Sequence, residues 1–249
     1  MSKKCAHIMF FLAGSVMALA TSYVGLPKGT IYQAYVEYED ADSIVITAGY
    51  GECNGNYFEV TESRVYDVNY IPTGEDFIYI YVDDSESEYP SPAFCDSTAE
   101  PAWSDAKLGW YNGDDRCIGV VWTEDSSSEI KFFTNNSNNR FMCHFGALLY
   151  HGSPVTSMTP LEATAYIPVN AKAVFVEAIN YKYQGVVQII VSSYENETMR
   201  ILGWSYFYTA CSGWIELERG ASRDLKYRGG EIGDTPNINI QLFGCEIER

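Results

Sequence analysis

The stretch FIYIYV, residues 77–82, sets six apolar or aromatic side chains in a row. Strict alternation marks a strand with one wet face. An unbroken run of strand formers marks a strand covered on both faces. Phe77, Ile78, Tyr79, Ile80, Tyr81 and Val82 therefore read as a central strand, and the rest of the fold is read outward from it. Downstream, residues 107–111 lead into Asn112-Gly113, a dipeptide suited to the positive φ angles of a tight hairpin turn. Residues 116–122 return as the partner strand. Residues 31–38, 43–47, 57–61, 64–69, 129–133 and 142–150 complete the strands of this half. Pro, Ser and acidic residues fill positions 83–105, which read as a long loop.

A polar, proline-broken passage at residues 151–160 reads as a linker. Beyond it, residues 161–166, 173–179, 186–192, 199–206, 214–218, 224–227 and 238–243 carry strand patterns. Short strands at regular spacing, with turn residues between them, suit β-sandwiches. The expected architecture is all-β: two β-sandwich, jelly-roll-like domains, residues 25–152 and 153–249, after a short apolar N-terminal helix in residues 1–24. That first segment has Lys3 and Lys4 ahead of IMFFLAGSVMALA, residues 8–20. A basic start, a short apolar middle and small residues at its end match a secretory signal peptide, and the run is too short to span a membrane. The other reading is an apolar anchor helix that packs against copies of itself.

Among the 249 residues 33 are acidic and 16 basic, a net charge of −17. Such a chain repels phosphate backbones, so nucleic acid is excluded as a partner. No polybasic run exists to hold it on an anionic membrane, and no membrane partner is expected for the mature form. Aromatic residues make up 15%, with 20 tyrosines, a bias that suits both sheet faces and contact surfaces. Apart from Cys5, cysteines stand at 53, 95, 117, 143, 211 and 245. An even set allows up to three disulfides if the protein is exported, while Cys117 and Cys245 sit in apolar runs and read as core thiols.

No catalytic residue is assigned. His7, His144 and His151 lack a neighbouring nucleophile motif, and Cys143 and His144, adjacent on a strand, point to opposite faces. Zinc-ligand spacing is absent and no cofactor is expected, with calcium the one exception. Asp83, Asp84, Asp114 and Asp115 fall at strand ends, where hard oxygen ligands suit that ion. The plainer reading is a pair of solvated acidic loops. Trp204, Tyr206, Tyr208 and Trp214 are the candidate ligand contacts, against the alternative that they fill the core. Asn135-Asn136-Ser137 and Asn196-Glu197-Thr198 are formal glycosylation sequons.

Gly109, Trp110, Tyr111, Asn112, Gly113, Asp115, Arg116, Ile118 and Gly119 form a pattern that resembles the β-domains of bacteriophage and prophage tail-fibre or receptor-binding proteins. In those a GWYN-type turn precedes a DR-x-(I/L)-G strand. The likeness extends over residues 44–249 through short motifs. It implies a non-enzymatic virion part, a homo-oligomer and most simply a homotrimer, that recognises a carbohydrate or protein on a host surface. The export-like amino terminus departs from that pattern. It points to the alternative of an exported bacterial surface adhesin or a subunit of an extracellular filament.

Overall fold

The computed structural model describes residues 26–74, 76–123, 127–136, 139–153, 155, 157–180, 186–193, 210–219, 223–232 and 238–249. The expected N-terminal helix lies outside them. The first half contains β1 (Ile31–Gln33), β2 (Val36–Tyr38), β3 (Ser43–Ile46), β4 (Gly49–Cys53), β5 (Asn56–Val60) and β6 (Arg64–Asp67). It continues with β7 (Phe77–Glu88), β8 (Ser91–Ser97), β9 (Ala102–Ser104), β10 (Gly109–Asn112) and β11 (Asp115–Trp122). The second half contains β12 (Phe133–Asn136), β13 (Arg140–Gly152), β14 (Thr159–Leu161), β15 (Ala171–Asn180), β16 (Val186–Ser193), β17 (Ala210–Glu216), β18 (Leu225–Ile232) and β19 (Ile238–Ile247). The described chain is thus nearly all β. Two five-stranded sheets, in the orders β8-β7-β11-β10-β9 and β12-β13-β19-β15-β17, are joined by three-stranded sheets β1-β4-β5, β2-β3-β6 and β14-β18-β16.

Residues 77–82 are central, as expected: β7 lies between β8 and β11, and all six side chains are buried. Burying each large one contributes about 1.5–3 kcal/mol. One face of this sheet meets the small N-terminal sheets. There Gly119 of β11 faces Val36 of β2 so closely that a Cβ would collide with it. The other face meets the second half, where the Tyr79 hydroxyl accepts the Val169 N–H at 3.3 Å. One apolar cluster runs through both halves, from Ala34 to Ile247. Within it Phe77, Val121 and Trp122 share an apolar void of about 20 Å³ with Phe141, Leu242 and Cys245.

Several details differ from the sequence reading. The expected strand at 31–38 breaks in two, because Gln33 and Ala34 have φ of 56° and 52°. The Arg249 guanidinium fills that break by donating to both of their carbonyls. The expected loop at 83–105 is a hairpin instead: β7 continues to Glu88 and returns as β8, with Asp83 opposite Ala93 and Glu88 opposite Ser91. Its outer part buries no face, so it carries no alternation for a sequence to reveal. In the β10–β11 hairpin, Asn112 pairs with Asp115 and the loop is Gly113-Asp114, one residue later than expected. Gly113, at φ 66°, takes the first loop position, where glycine is favoured. Residues 161–166 hold only the end of β14 and a 3-10 turn, Thr164–Tyr166. The expected boundary at 152/153 does not separate sheets, since β13 hydrogen-bonds β19 from Arg140–Glu246 to Gly152–Ile238. The strand expected at 199–206 lies outside the described residues.

The segment that carries the tail-fibre resemblance is used structurally. Arg116 is fully buried. Its guanidinium donates to the Tyr111 hydroxyl at 3.2 Å and to the carbonyl oxygens of Gly29 and Arg249 at 2.8 and 3.1 Å. Glu52 supplies the counter-charge at 3.5 Å. A Cβ at Gly109 would lie 2.6 Å from the Arg116 Cζ, so glycine there makes room for the buried charge.

Candidate functional site

Asp83, Asp84, Asp114 and Asp115 do come near one another, at the ends of β7 and β11, but their oxygens serve the fold. Asp83 accepts from the Ser85 N–H and hydroxyl and the Glu86 N–H at 2.7–3.1 Å. Asp84 accepts from the Tyr89 hydroxyl at 2.7 Å and the Asn54 side chain at 3.2 Å. Asp115 accepts from the Asp84 N–H at 2.9 Å, and Asp114 pairs with Lys107 at 2.6 Å. Burial raises the Asp115 carboxyl above its ordinary range; the Asp84 N–H opposes this, and the charges of Asp83, Asp84 and Asp114 add to it. Among the described residues no three His, Cys, Asp or Glu side chains gather to hold a metal ion. Cys53, Cys95 and Cys117 are unbridged thiols. Burial pushes Cys53 up to about 11 and Cys117 up to about 12, which leaves both as thiols at neutral pH.

Of the four aromatic candidates, Trp204, Tyr206 and Tyr208 lie outside the described residues. Trp214 is on β17, at the edge of the second large sheet, where it is half-buried. It lines an open groove of about 420 Å³ with Arg140 of β13, Glu246 of β19, Lys172 of β15 and Glu216 of β17. The ladder explains the meeting. Arg140 is paired with Glu246, Ala173 with both Glu246 and Glu216, and Phe175 with Trp214. A bulge between Ala171 and Ala173 accompanies Lys172 at the rim of the groove. Glu246 accepts from the Arg140 Nε at 2.8 Å and from the Lys172 ammonium at 2.6 Å. Burial alone would raise its pKa, but the two cations outweigh that and hold the carboxyl below its usual range. The Arg140 guanidinium lies 4.6 Å from the centre of the Trp214 ring, and Phe175 packs on that ring at 5.4 Å.

A second Arg–Trp pair adjoins the first. Arg219 lies 3.5 Å over Trp103 and bonds Glu248 through two nitrogens, and Glu248 also accepts from the Trp110 indole at 3.2 Å. Lys172 is close enough to act on both glutamates. Arg140, Glu246, Lys172, Glu248 and Arg219 thus form an alternating row, with a tryptophan under each arginine. Elsewhere Tyr32, Tyr50 and Tyr57 form a stacked row on the small first sheet, with ring centres 5.1 and 6.3 Å apart and Tyr32 53% exposed. Sequence reasoning singled out none of Arg140, Lys172, Glu216 and Glu246. They are far apart in the chain and stand in no motif, so no local signal could have joined them. The first sequon is committed to the fold, since the Asn135 amide donates to the Val36 carbonyl at 2.9 Å. No known protein-family profile and no curated protein matches the chain.

Proposed function

We propose that this chain is a non-enzymatic binding protein of the tail-fibre type, one subunit of a homo-oligomer, that recognises a carbohydrate on a host surface. The observation that carries this reading is the groove around Trp214. An aromatic ring, two cations and two carboxylates line one open concavity on a rigid sheet, and binding sites combine this kind of apolar body with a few fixed polar groups. Hydroxyl-rich ligands need donors and acceptors side by side, and here Arg140 and Lys172 stand beside Glu216 and Glu246. The two halves, each built of a large sheet and its smaller companions, serve as the two sandwiches of such a scaffold. The test is a glycan array followed by titration calorimetry on the full-length chain. Binding of a defined oligosaccharide is expected, at least tenfold weaker in Arg140→Ala, with no new product seen by chromatography. Binding that ignores Arg140→Ala, or turnover of the glycan, would overturn the reading.

A further inference from the structure

We infer that the groove selects an acidic saccharide, and that the Arg140 guanidinium takes the sugar carboxylate. This rests on the carbohydrate reading just given and adds the class of sugar. The geometry that leads to it is the covering of Trp214. A neutral pyranose binds an indole by lying flat on the ring face, but Arg140 already lies over that ring at 4.6 Å, with the Phe175 ring tilted against it at 5.4 Å. What the groove offers instead is the guanidinium itself. Its Nε is fixed by Glu246 at 2.8 Å, and among the described residues its two terminal nitrogens have no protein acceptor.

A guanidinium carries its N–H bonds in its own plane, where a planar carboxylate is met by two parallel hydrogen bonds. The contact with the Trp214 ring and the Glu246 bond hold the fork in place before any ligand arrives, which lowers the ordering cost of binding. Lys172, whose side chain is 51% exposed, adds a second positive charge beside it. Glu246 is already shared between these two cations, so it does not compete for the fork as a free carboxylate would. Glu216 lines the same groove and can accept a sugar hydroxyl. On a chain of net charge −17, long-range attraction brings no anion here. Selection of the acid therefore depends on contact geometry rather than on overall charge, and replacing the fork by a point charge must weaken it.

The experiment is titration of the full-length protein with uronic- and nonulosonic-acid oligosaccharides, each paired with its carboxyl-reduced form, and with inorganic sulfate and phosphate. The acidic member of at least one pair is expected to bind tenfold or more tighter than its reduced partner. Arg140→Lys, which keeps the charge and loses the fork, is expected to remove most of that preference while leaving the fold intact by circular dichroism. Glu216→Gln, outside the fork, is expected to weaken both members of the pair alike. Equal or tighter binding of the reduced form would overturn this inference and leave the carbohydrate reading standing. Sulfate or phosphate that binds as well as the acidic sugar would also overturn it, since the site would then be one for small anions. Failure of every saccharide to bind would remove the carbohydrate reading and the inference with it.

Discussion

Arg116 is the residue on which most distant parts of the chain converge. Its guanidinium ties Gly29, Glu52, Tyr111 and Arg249, so one side chain joins the first described residues to the last. An isolated charge at zero exposure is costly, and it is tolerated here because its terminal nitrogens find oxygens and Glu52 balances it. Removing it leaves Glu52, only 7% exposed, without that partner. Arg116→Met is therefore expected to cost about 3–5 kcal/mol. Urea unfolding followed by tryptophan fluorescence measures this, and a loss of less than about 1 kcal/mol would show that the knot is dispensable. The resemblance motif predicted a strand and a turn here. It gave no sign that its arginine would be buried, because burial depends on strands that arrive from residues 29–52 and from the carboxyl end.

At the scale of elements, β7 is two strands in one. Its first six residues are covered on both faces, while Asp83–Glu88 stand half or fully exposed beyond the core. The two parts should answer substitution differently. Ile80→Ala removes a fully buried side chain and is expected to cost about 2–5 kcal/mol. Glu86→Ala touches a solvated hairpin and is expected to change stability by no more than about 0.5 kcal/mol. Chemical denaturation of both variants checks this pair, and equal losses would mean that the outer hairpin is part of the core. The same division explains the sequence reading. The apolar half was legible because β-forming residues in an unbroken run have few other uses. The outer half was read as loop because Asp, Ser, Glu and Pro are ordinary turn residues. Their strand geometry comes from the return strand, with Asp83 opposite Ala93 and Glu88 opposite Ser91, not from their own preferences.

At the scale of the molecule, β13, which ends at the expected boundary, is paired with β19 near the carboxyl end of the chain. Residues 127–132 meet the first half through the Thr123–Ile130 bridge and through the Ile130 and Lys131 N–H groups, which donate to the Ala41 and Trp122 carbonyls at 2.7 Å. At 152/153, by contrast, a cut strips β12 and β13 from β19. Fragments 1–125 and 126–249, mixed in solution, are expected to associate through the shared apolar cluster and recover native near-ultraviolet circular dichroism. Fragments 1–152 and 153–249 are expected to aggregate, each exposing an unpaired edge of the same sheet. Recovery by the second pair and not by the first would place the boundary where composition suggested it.

The amino-acid sequence by itself determined that this protein is built of strands and that residues 77–82 lie inside a sheet, covered on both faces. Those properties are local: a run such as FIYIYV has one comfortable environment. Pairing partners and the candidate site were decided by the tertiary structure alone. Arg140, Lys172, Trp214 and Glu246 meet because β13, β19, β15 and β17 lie side by side in that order. Alternation tells a strand which face to bury but not which strand to lie against, since every antiparallel neighbour offers the same backbone ladder.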